Sequence, residues 1–112
     1  MSFSKPIYNN YVQNILVDNS DWDGSHFRKQ VNVSAGLYRC FLFYYNKVDS
    51  ANFIVARFYS TSSKYVYRAY SAVTTRAEFD IIVDSDLEIF IYGGALTASS
   101  TDTADLNLIR IG

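Results

Sequence analysis

Short apolar runs rich in Val, Ile, Tyr, Phe and Thr recur along the chain at intervals of about ten residues, and polar turns separate them. Helical periodicity is nearly absent. We predict eight extended segments, at residues 7–17, 27–33, 37–45, 52–59, 64–71, 75–83, 87–92 and 105–111. Because the intervals leave no room for crossover helices, the pattern predicts an all-β, antiparallel two-sheet sandwich or a barrel.

Alternation within the segments predicts which side chains face the core. The run at 37–45 is apolar on both faces, which is typical of a central strand. Segments 52–59 and 64–71, joined across four small or polar residues, are the clearest hairpin in the chain. In segment 87–92 the alternation places Phe90 and Tyr92 outward, together with Glu88.

Composition bounds the class of protein. The 112 residues, 49% hydrophobic and 19% charged, predict one folded domain over residues 1–112 rather than a disordered chain. The net charge is −1 and the basic residues are scattered, which argues against a nucleic-acid partner. There is no signal-like leader and no apolar stretch of about 20 residues, so we expect neither secretion by a leader nor membrane insertion.

Catalytic chemistry has little support in the sequence. His26 is the only histidine and Cys40 the only cysteine, and no glycine-rich phosphate loop is present. We therefore predict no enzyme activity, no metal and no cofactor, with Cys40 as a buried, inert thiol. The enzyme alternative depends on Glu78 and Glu88, a carboxylate pair that could face solvent on one sheet. Two solvated surface charges beside Arg76 and Arg110 are the favoured interpretation.

A calcium loop at Asp84 and Asp86 is the corresponding metal alternative, and a plain acidic turn is the favoured interpretation.

Aromatic content is the positive signal. Ten Tyr, eight Phe and one Trp make up 17% of the chain, more rings than a core of this size hides. Ligand contact, a subunit interface and simple packing all remain open for these rings. We predict a ligand-binding set on the aromatic and polar strands and the loop before them: Trp22, Arg57, Tyr59, Tyr65, Tyr67 and Tyr92.

The order of the segments carries a family resemblance. The run at 29–38 (KQVNVSAGLY), the strand, acidic turn and strand at 78–92, and the closing strand at 106–111 resemble jelly-roll carbohydrate-binding modules. Related domains occur in phage tail, fibre and baseplate proteins. The resemblance extends over residues 14–111, and it implies a jelly-roll-like sandwich of about eight strands.

The resemblance also implies a function. We expect a non-catalytic recognition module for a cell-surface glycan, as part of a phage tail or fibre and located in the virion after assembly in the host cytoplasm. An excised module of a larger protein fits the sequence equally well. The rival is a structural virion protein whose aromatic surface joins subunits in a homo-oligomer such as a trimer.

Overall fold

The described residues form eight β-strands, and a predicted apolar segment overlaps each of them. The computed structural model describes residues 12–45, 54–60, 63–69, 74–93 and 96–112, within which there is no α-helix. The strands are β1 (Val12–Val17), β2 (Phe27–Asn32), β3 (Gly36–Tyr45), β4 (Ile54–Tyr59), β5 (Lys64–Ala69), β6 (Thr74–Val83), β7 (Asp86–Gly93) and β8 (Thr103–Arg110). The predicted extensions at 7–11, 52–53 and 70–71 lie outside the described residues.

The strands form two antiparallel four-stranded sheets. The first sheet has the order β1-β8-β3-β6, and the second has the order β2-β7-β4-β5. Strand pairing therefore proceeds from the two ends of the chain toward its middle: β1 with β8, β2 with β7, β3 with β6, and β4 with β5. Successive pairs alternate between the two sheets, which is the jelly-roll topology. The all-β, two-sheet sandwich predicted from the sequence is confirmed.

The core lies between the inner faces of the two sheets, and strict period-two alternation supplies it. On β3, which lies between β8 and β6, Tyr38, Cys40, Leu42 and Tyr44 point inward and are buried. The second sheet contributes a matching inner set, in which the largest side chains are Phe27, Phe58, Leu87, Ile89 and Ile91. Burial of each large apolar side chain contributes about 1.5–3 kcal/mol, so the two inner faces stabilise the sandwich.

Cys40 has the buried position that the sequence predicts. Its side chain is fully buried on the inner face of β3, and burial raises the pKa of the thiol to about 12. A thiol in this setting remains protonated at neutral pH, so it packs as a small apolar side chain.

The structure separates Glu78 and Glu88, the carboxylate pair on which the enzyme alternative depends. β6 and β7 follow one another in the chain but belong to different sheets, so Glu78 lies on the outer face of the first sheet and Glu88 on that of the second. The two carboxylates face opposite sides of the sandwich, which does not give them a common cleft.

The acidic turn before β7 is held by ordinary hydrogen bonds. Asp86 accepts from Gln30 Nε2 at 3.0 Å and from Asn32 Nδ2 at 3.2 Å across the β2–β7 pair. Among the described residues, no group of three or more His, Cys, Asp or Glu side chains is placed to hold a metal ion. That part of the chain also contains no helix long and apolar enough to cross a membrane.

Candidate ligand-binding face

The outer face of the second sheet brings rings and charges together in cross-strand rows. Arg28 on β2 lies opposite Phe90 on β7, and Phe90 in turn lies opposite Arg57 on β4. In the adjacent row, Glu88 on β7 lies opposite Tyr59 on β4. Side chains on one face of an antiparallel sheet touch directly and diagonally, so three strands build one continuous surface.

Phe90 occupies the centre of this surface. The Tyr59 ring lies with its centroid 5.7 Å from that of Phe90 and its plane 19° away, and the His26 ring lies 4.9 Å from Phe90 on centroids. The guanidinium of Arg57 lies 5.4 Å from the centroid of the Tyr92 ring. These five residues form what we call the aromatic face.

The aromatic face is concave. Its five residues line a shallow depression of about 370 Å³. A second, more polar depression of about 280 Å³ shares Tyr59 and is lined by Gln30, Tyr59, Ser60, Ser85, Asp86 and Glu88. Each volume is near the lower end of the range for small-molecule sites, and the two adjoin at the Tyr59 ring. The surface therefore offers a ring-lined half and a half with polar acceptors.

A tight turn before β2 presents His26 to the aromatic face. Asp23 Oδ1 accepts from the backbone N–H groups of Ser25 and His26, both at 3.0 Å, and Gly24 takes a φ of 107° that favours glycine. The Ser25 hydroxyl lies 2.8 Å from His26 Nδ1 and 3.3 Å from Asp23 Oδ1. These contacts fix the ring beside Phe90.

The same turn places a carboxylate near the imidazole. Asp23 Oδ2 lies 3.3 Å from His26 Nε2, in a geometry that does not make a hydrogen bond. Hydrogen bonds from the His26 and Ser25 backbone lower the pKa of Asp23. Asp23 therefore stays ionised and adds negative potential at this end of the face.

Arg28 and Glu88 form the strongest ion pair on the face. Arg28 donates from Nε at 3.0 Å and from Nη2 at 2.6 Å to the same oxygen of Glu88, and its guanidinium lies 5.4 Å from the Phe90 centroid. The hydrogen bonds and the charge of Glu88 raise the pKa of Arg28. Burial, and then the nearby Glu88 carboxylate, raise the pKa of Tyr59, so its hydroxyl remains a donor at neutral pH.

The structure separates the six predicted site residues. Arg57, Tyr59 and Tyr92 lie together on the aromatic face. Tyr65 and Tyr67 lie on the inner face of β5, where the Tyr65 ring is parallel to Phe79 with centroids 3.9 Å apart. The predicted grouping of these two tyrosines with Arg57 and Tyr59 is therefore not found.

Trp22 also lies away from the aromatic face. It is half-buried, packs against the core and meets the Phe27 ring edge-on, with centroids 5.9 Å apart. Trp22 therefore packs against a core ring, apart from the rings of the aromatic face.

Sequence reasoning did not select Phe90, Arg28 or His26 as site residues. Alternation in the sequence does place Phe90 and Arg28 on the outer side of their strands. Both would have joined the predicted site if β2, β7 and β4 had been known to be neighbours. No local signal marks His26, because its position depends on the turn that begins at Asp23.

The opposite side of the sandwich has a different character. On the outer face of the first sheet, a groove of about 330 Å³ is lined by Phe41, Phe43, Arg76, Glu78 and Asn107, among others. The Arg76 guanidinium covers Phe43, 4.7 Å from the ring centroid, and Phe41 is 39% exposed. Arg76, Glu78 and Asn107 are the polar side chains beside the rings of this groove.

Comparison with known proteins does not assign the chain to a family. No protein-family model matches the sequence, and no curated protein matches it. Function is therefore inferred from the geometry of the two outer faces.

Proposed function

We propose that the protein is a non-catalytic recognition module that binds a saccharide on the aromatic face. The observation that carries the proposal is the convergence of Tyr59, Phe90 and Tyr92 with Arg57 and His26 in one depression on an outer sheet face. Sugar rings have apolar faces that pack on aromatic rings, and their hydroxyls require directional donors and acceptors. Ligand sites generally combine an apolar lining with a few such polar groups.

The adjoining depression supports a ligand longer than one sugar. Gln30, Asp86 and Glu88 supply an amide and two carboxylates beside the Tyr59 ring. Carboxylates accept hydrogen bonds from hydroxyl groups, and an amide both donates and accepts. A second sugar residue would find its acceptors here while the first lies on the rings.

The biological setting belongs to the same proposal. A jelly-roll domain with an exposed aromatic face is suited to receptor recognition by a phage tail or fibre, with a cell-surface glycan as the partner. This setting depends on the family resemblance of the sequence, since a jelly-roll fold by itself serves many functions.

A glycan array probed with the purified protein tests the proposal. We expect binding that falls about tenfold or more in Tyr59→Ala and in Tyr92→Ala, because truncation of a ring in a contact centre costs on the order of 1–2 kcal/mol or more. Phe41→Ala is the matched control, since it removes an exposed ring from the opposite outer face and should leave binding unchanged. Equal binding by the Tyr variants and the parent protein would contradict the proposal.

A second candidate function has its own observation. Three large apolar side chains are exposed on the outer face of the first sheet: Leu16 at 44%, Phe41 at 39% and Ile82 at 48%. Together with the Phe43 ring beside Phe41 in the groove, these side chains offer apolar contact area to another protein. We propose that, in this alternative, the face joins copies of the chain in a structural assembly.

Sedimentation equilibrium separates this alternative from the first. An oligomer in the micromolar range that dissociates in Phe41→Lys or Ile82→Lys would support assembly through the first sheet. A monomer at all concentrations would exclude it.

A further inference from the structure

We infer that the saccharide bound by the aromatic face is anionic, with its carboxylate or sulfate group held by three cations on β4 and β5. This inference depends on the proposed function and adds the chemical class of the ligand. The cations are Arg57, Lys64 and Arg68, which we call the cationic cluster. They lie on the second sheet, at the edge formed by β5.

The strand register places the cationic cluster on the outer face. Arg57 lies directly opposite Val66, and Lys64 and Arg68 are two residues before and after Val66 on β5. Alternation puts all three side chains on the same side of the sheet, and diagonal neighbours of this kind are about 7–8 Å apart. All three are exposed. Three positive charges therefore surround one apolar side chain.

The cationic cluster adjoins the rings. Arg57 belongs to both groups, because its guanidinium lies over Tyr92 and it lines the ring-lined depression. Lys64 lies opposite Tyr59 in the β4–β5 register. A sugar ring resting on Tyr59 and Phe90 would direct a substituent on its β5 side toward these cations.

None of the three cations forms an ion pair within the described part of the chain. Other cations there are neutralised: Arg28 by Glu88 at 2.6 Å and Lys29 by Asp21 at 3.5 Å. On the first sheet, Arg39 lies 3.0 Å from Asp80. The described residues therefore show no ion pair for the three cations at the β5 edge, whereas Arg28, Lys29 and Arg39 each have one.

The remaining described cations without an ion pair, Arg76 and Arg110, lie on the first sheet. Arg76 covers the Phe43 ring, and Arg110 donates from Nε to the Gly112 carbonyl oxygen at 3.1 Å. They are not near each other in the register, since Arg76 lies opposite Phe43 and Arg110 opposite Tyr38 on β3. The cationic cluster is therefore the only grouping of unpaired cations among the described residues.

Adjacent like charges repel, and the repulsion is strongest when no counter-charge is present. The chain as a whole has a net charge of −1, so its general field does not attract anions. A local group of positive charge beside a ligand depression, maintained without acidic partners, is what an anionic ligand group requires.

A saccharide fits this distribution better than a nucleic acid. Glu88 and Asp86 line the other half of the surface, next to Tyr59. These carboxylates would repel a phosphate backbone that crossed both halves, whereas they would accept hydrogen bonds from sugar hydroxyls. The face thus combines one cationic end with one acceptor end, which matches a sugar chain with isolated acidic groups.

Isothermal titration calorimetry with matched saccharides tests the inference. The probes are dextran and dextran sulfate oligosaccharides, which share a backbone, an unsulfated chondroitin oligosaccharide as the carboxylate source, and a ten-residue oligothymidylate. We expect dextran sulfate or chondroitin to bind at least about tenfold more tightly than dextran, with affinity falling as salt rises from 50 to 500 mM. The relative strength of these two anionic probes identifies sulfate or carboxylate as the preferred group.

Variants assign the effect to the cluster. Lys64→Gln and Arg68→Gln should each weaken binding of the anionic probe about tenfold and leave dextran binding within about twofold, because neither residue lines the ring-lined depression. Arg76→Gln is the charge-matched control on the opposite face, and it should change neither. A general attraction of polyanions to the protein would instead reduce binding equally in all three variants and would overturn the inference.

The outcomes separate the inference from the function on which it depends. If neutral and anionic saccharides bind equally and Lys64→Gln and Arg68→Gln have no effect, the anionic preference is wrong while saccharide binding stands. If no saccharide binds, on the array or in solution, both fail. If the oligothymidylate binds more tightly than every saccharide, the ligand is a nucleic acid and both fail again.

Discussion

Single residues show how the sandwich accommodates polar groups in its core. Tyr44 and Asp102 are both fully buried, and the Tyr44 hydroxyl donates to Asp102 Oδ2 at 3.3 Å. Burial, and then the Asp102 carboxylate, raise the pKa of Tyr44 well above its ordinary value, so the phenol stays a donor at every pH where the protein is handled. Removal of a hydrogen-bond donor from a buried carboxylate lowers the free energy of unfolding more than removal from an exposed carboxylate does. The reason is that no water replaces the lost hydrogen bond in the core.

We predict that Tyr44→Phe lowers the free energy of unfolding by about 1–3 kcal/mol, since it removes a hydrogen bond from a buried carboxylate while it keeps the ring. Urea denaturation measures the change. Tyr38→Phe is the matched control: its hydroxyl donates at 2.8 Å to the backbone oxygen of Ser34, an exposed residue, and the expected cost is about 0.5–1.5 kcal/mol. A larger loss in Tyr38→Phe than in Tyr44→Phe would contradict this account.

Among the elements, β8 is one of the two interior strands of the first sheet, and it joins β1 to β3. Its Leu106 lies opposite Ile15 on β1 and Leu42 on β3, and all three side chains are buried. Leu16, the neighbour of Ile15, points to the other side and is 44% exposed. Leucine therefore occupies a core position at Leu106 on β8 and a surface position at Leu16 on β1.

We predict that Leu106→Ala lowers the free energy of unfolding by about 2–5 kcal/mol, because it removes buried methylene and methyl groups and leaves a cavity. Leu16→Ala should change it by about 0.5 kcal/mol or less. Urea denaturation of both variants, in parallel with the parent protein, measures the difference. Similar losses in the two variants would show that the β8 register is incorrect.

At the scale of elements, the sequence predicted most of the fold, because alternation is local. The inward sets of β6 and β7 and the central position of β3 follow from period two and apolar content alone. Pairing between distant strands does not follow, since it depends on contacts that local patterning does not encode. The enzyme alternative at Glu78 and Glu88 shows this limit, because it required two consecutive strands to share a sheet, whereas β6 and β7 belong to different sheets.

The candidate site was predicted to a lesser extent for the same reason. Tyr65 and Tyr67 were grouped with Arg57 and Tyr59 although β4 and β5 alternate correctly within themselves, because the relative phase of two paired strands depends on the register. The register sets Arg57 against Val66 and Phe58 against Tyr65, which sends the tyrosines inward. Arg57, Tyr59 and Tyr92 were predicted correctly as outward-facing, because alternation within each strand is enough to place these side chains on the outer face.

For the whole molecule, the jelly roll leaves two outer faces of different chemistry on one core. The second sheet carries the aromatic face with its cations and carboxylates, and the first sheet carries exposed apolar side chains. Since the core separates the faces, substitutions on one should leave the other unaffected. This separation is what allows the Tyr59 and Phe41 variants to serve as controls for one another.

Charge distribution over the whole molecule predicts the response to acid. Three carboxyl groups have a lowered pKa: Asp18 through hydrogen bonds from Ser20, Asp23 through backbone N–H groups, and Asp80 through hydrogen bonds from Arg39. A carboxyl group whose pKa is lower in the folded state than in the unfolded state binds its proton later as the pH falls. The unfolded chain therefore binds more protons in the acid range, and the free energy of unfolding decreases as the pH falls.

We predict that the free energy of unfolding declines from about pH 5 toward pH 2, because the contribution of these groups is complete above the unfolded value near 3.8 and is lost as pH falls through the folded values. Urea midpoints at a series of pH values measure the decline. Asp18→Asn and Asp80→Asn should each make this decline less steep. In 1 M NaCl, the contribution of the exposed Arg39–Asp80 pair to the decline should become smaller, whereas that of the hydrogen-bonded Asp18 should remain largely intact. A midpoint that stays constant from pH 5 to pH 2 would contradict the proposed origin of these pKa shifts.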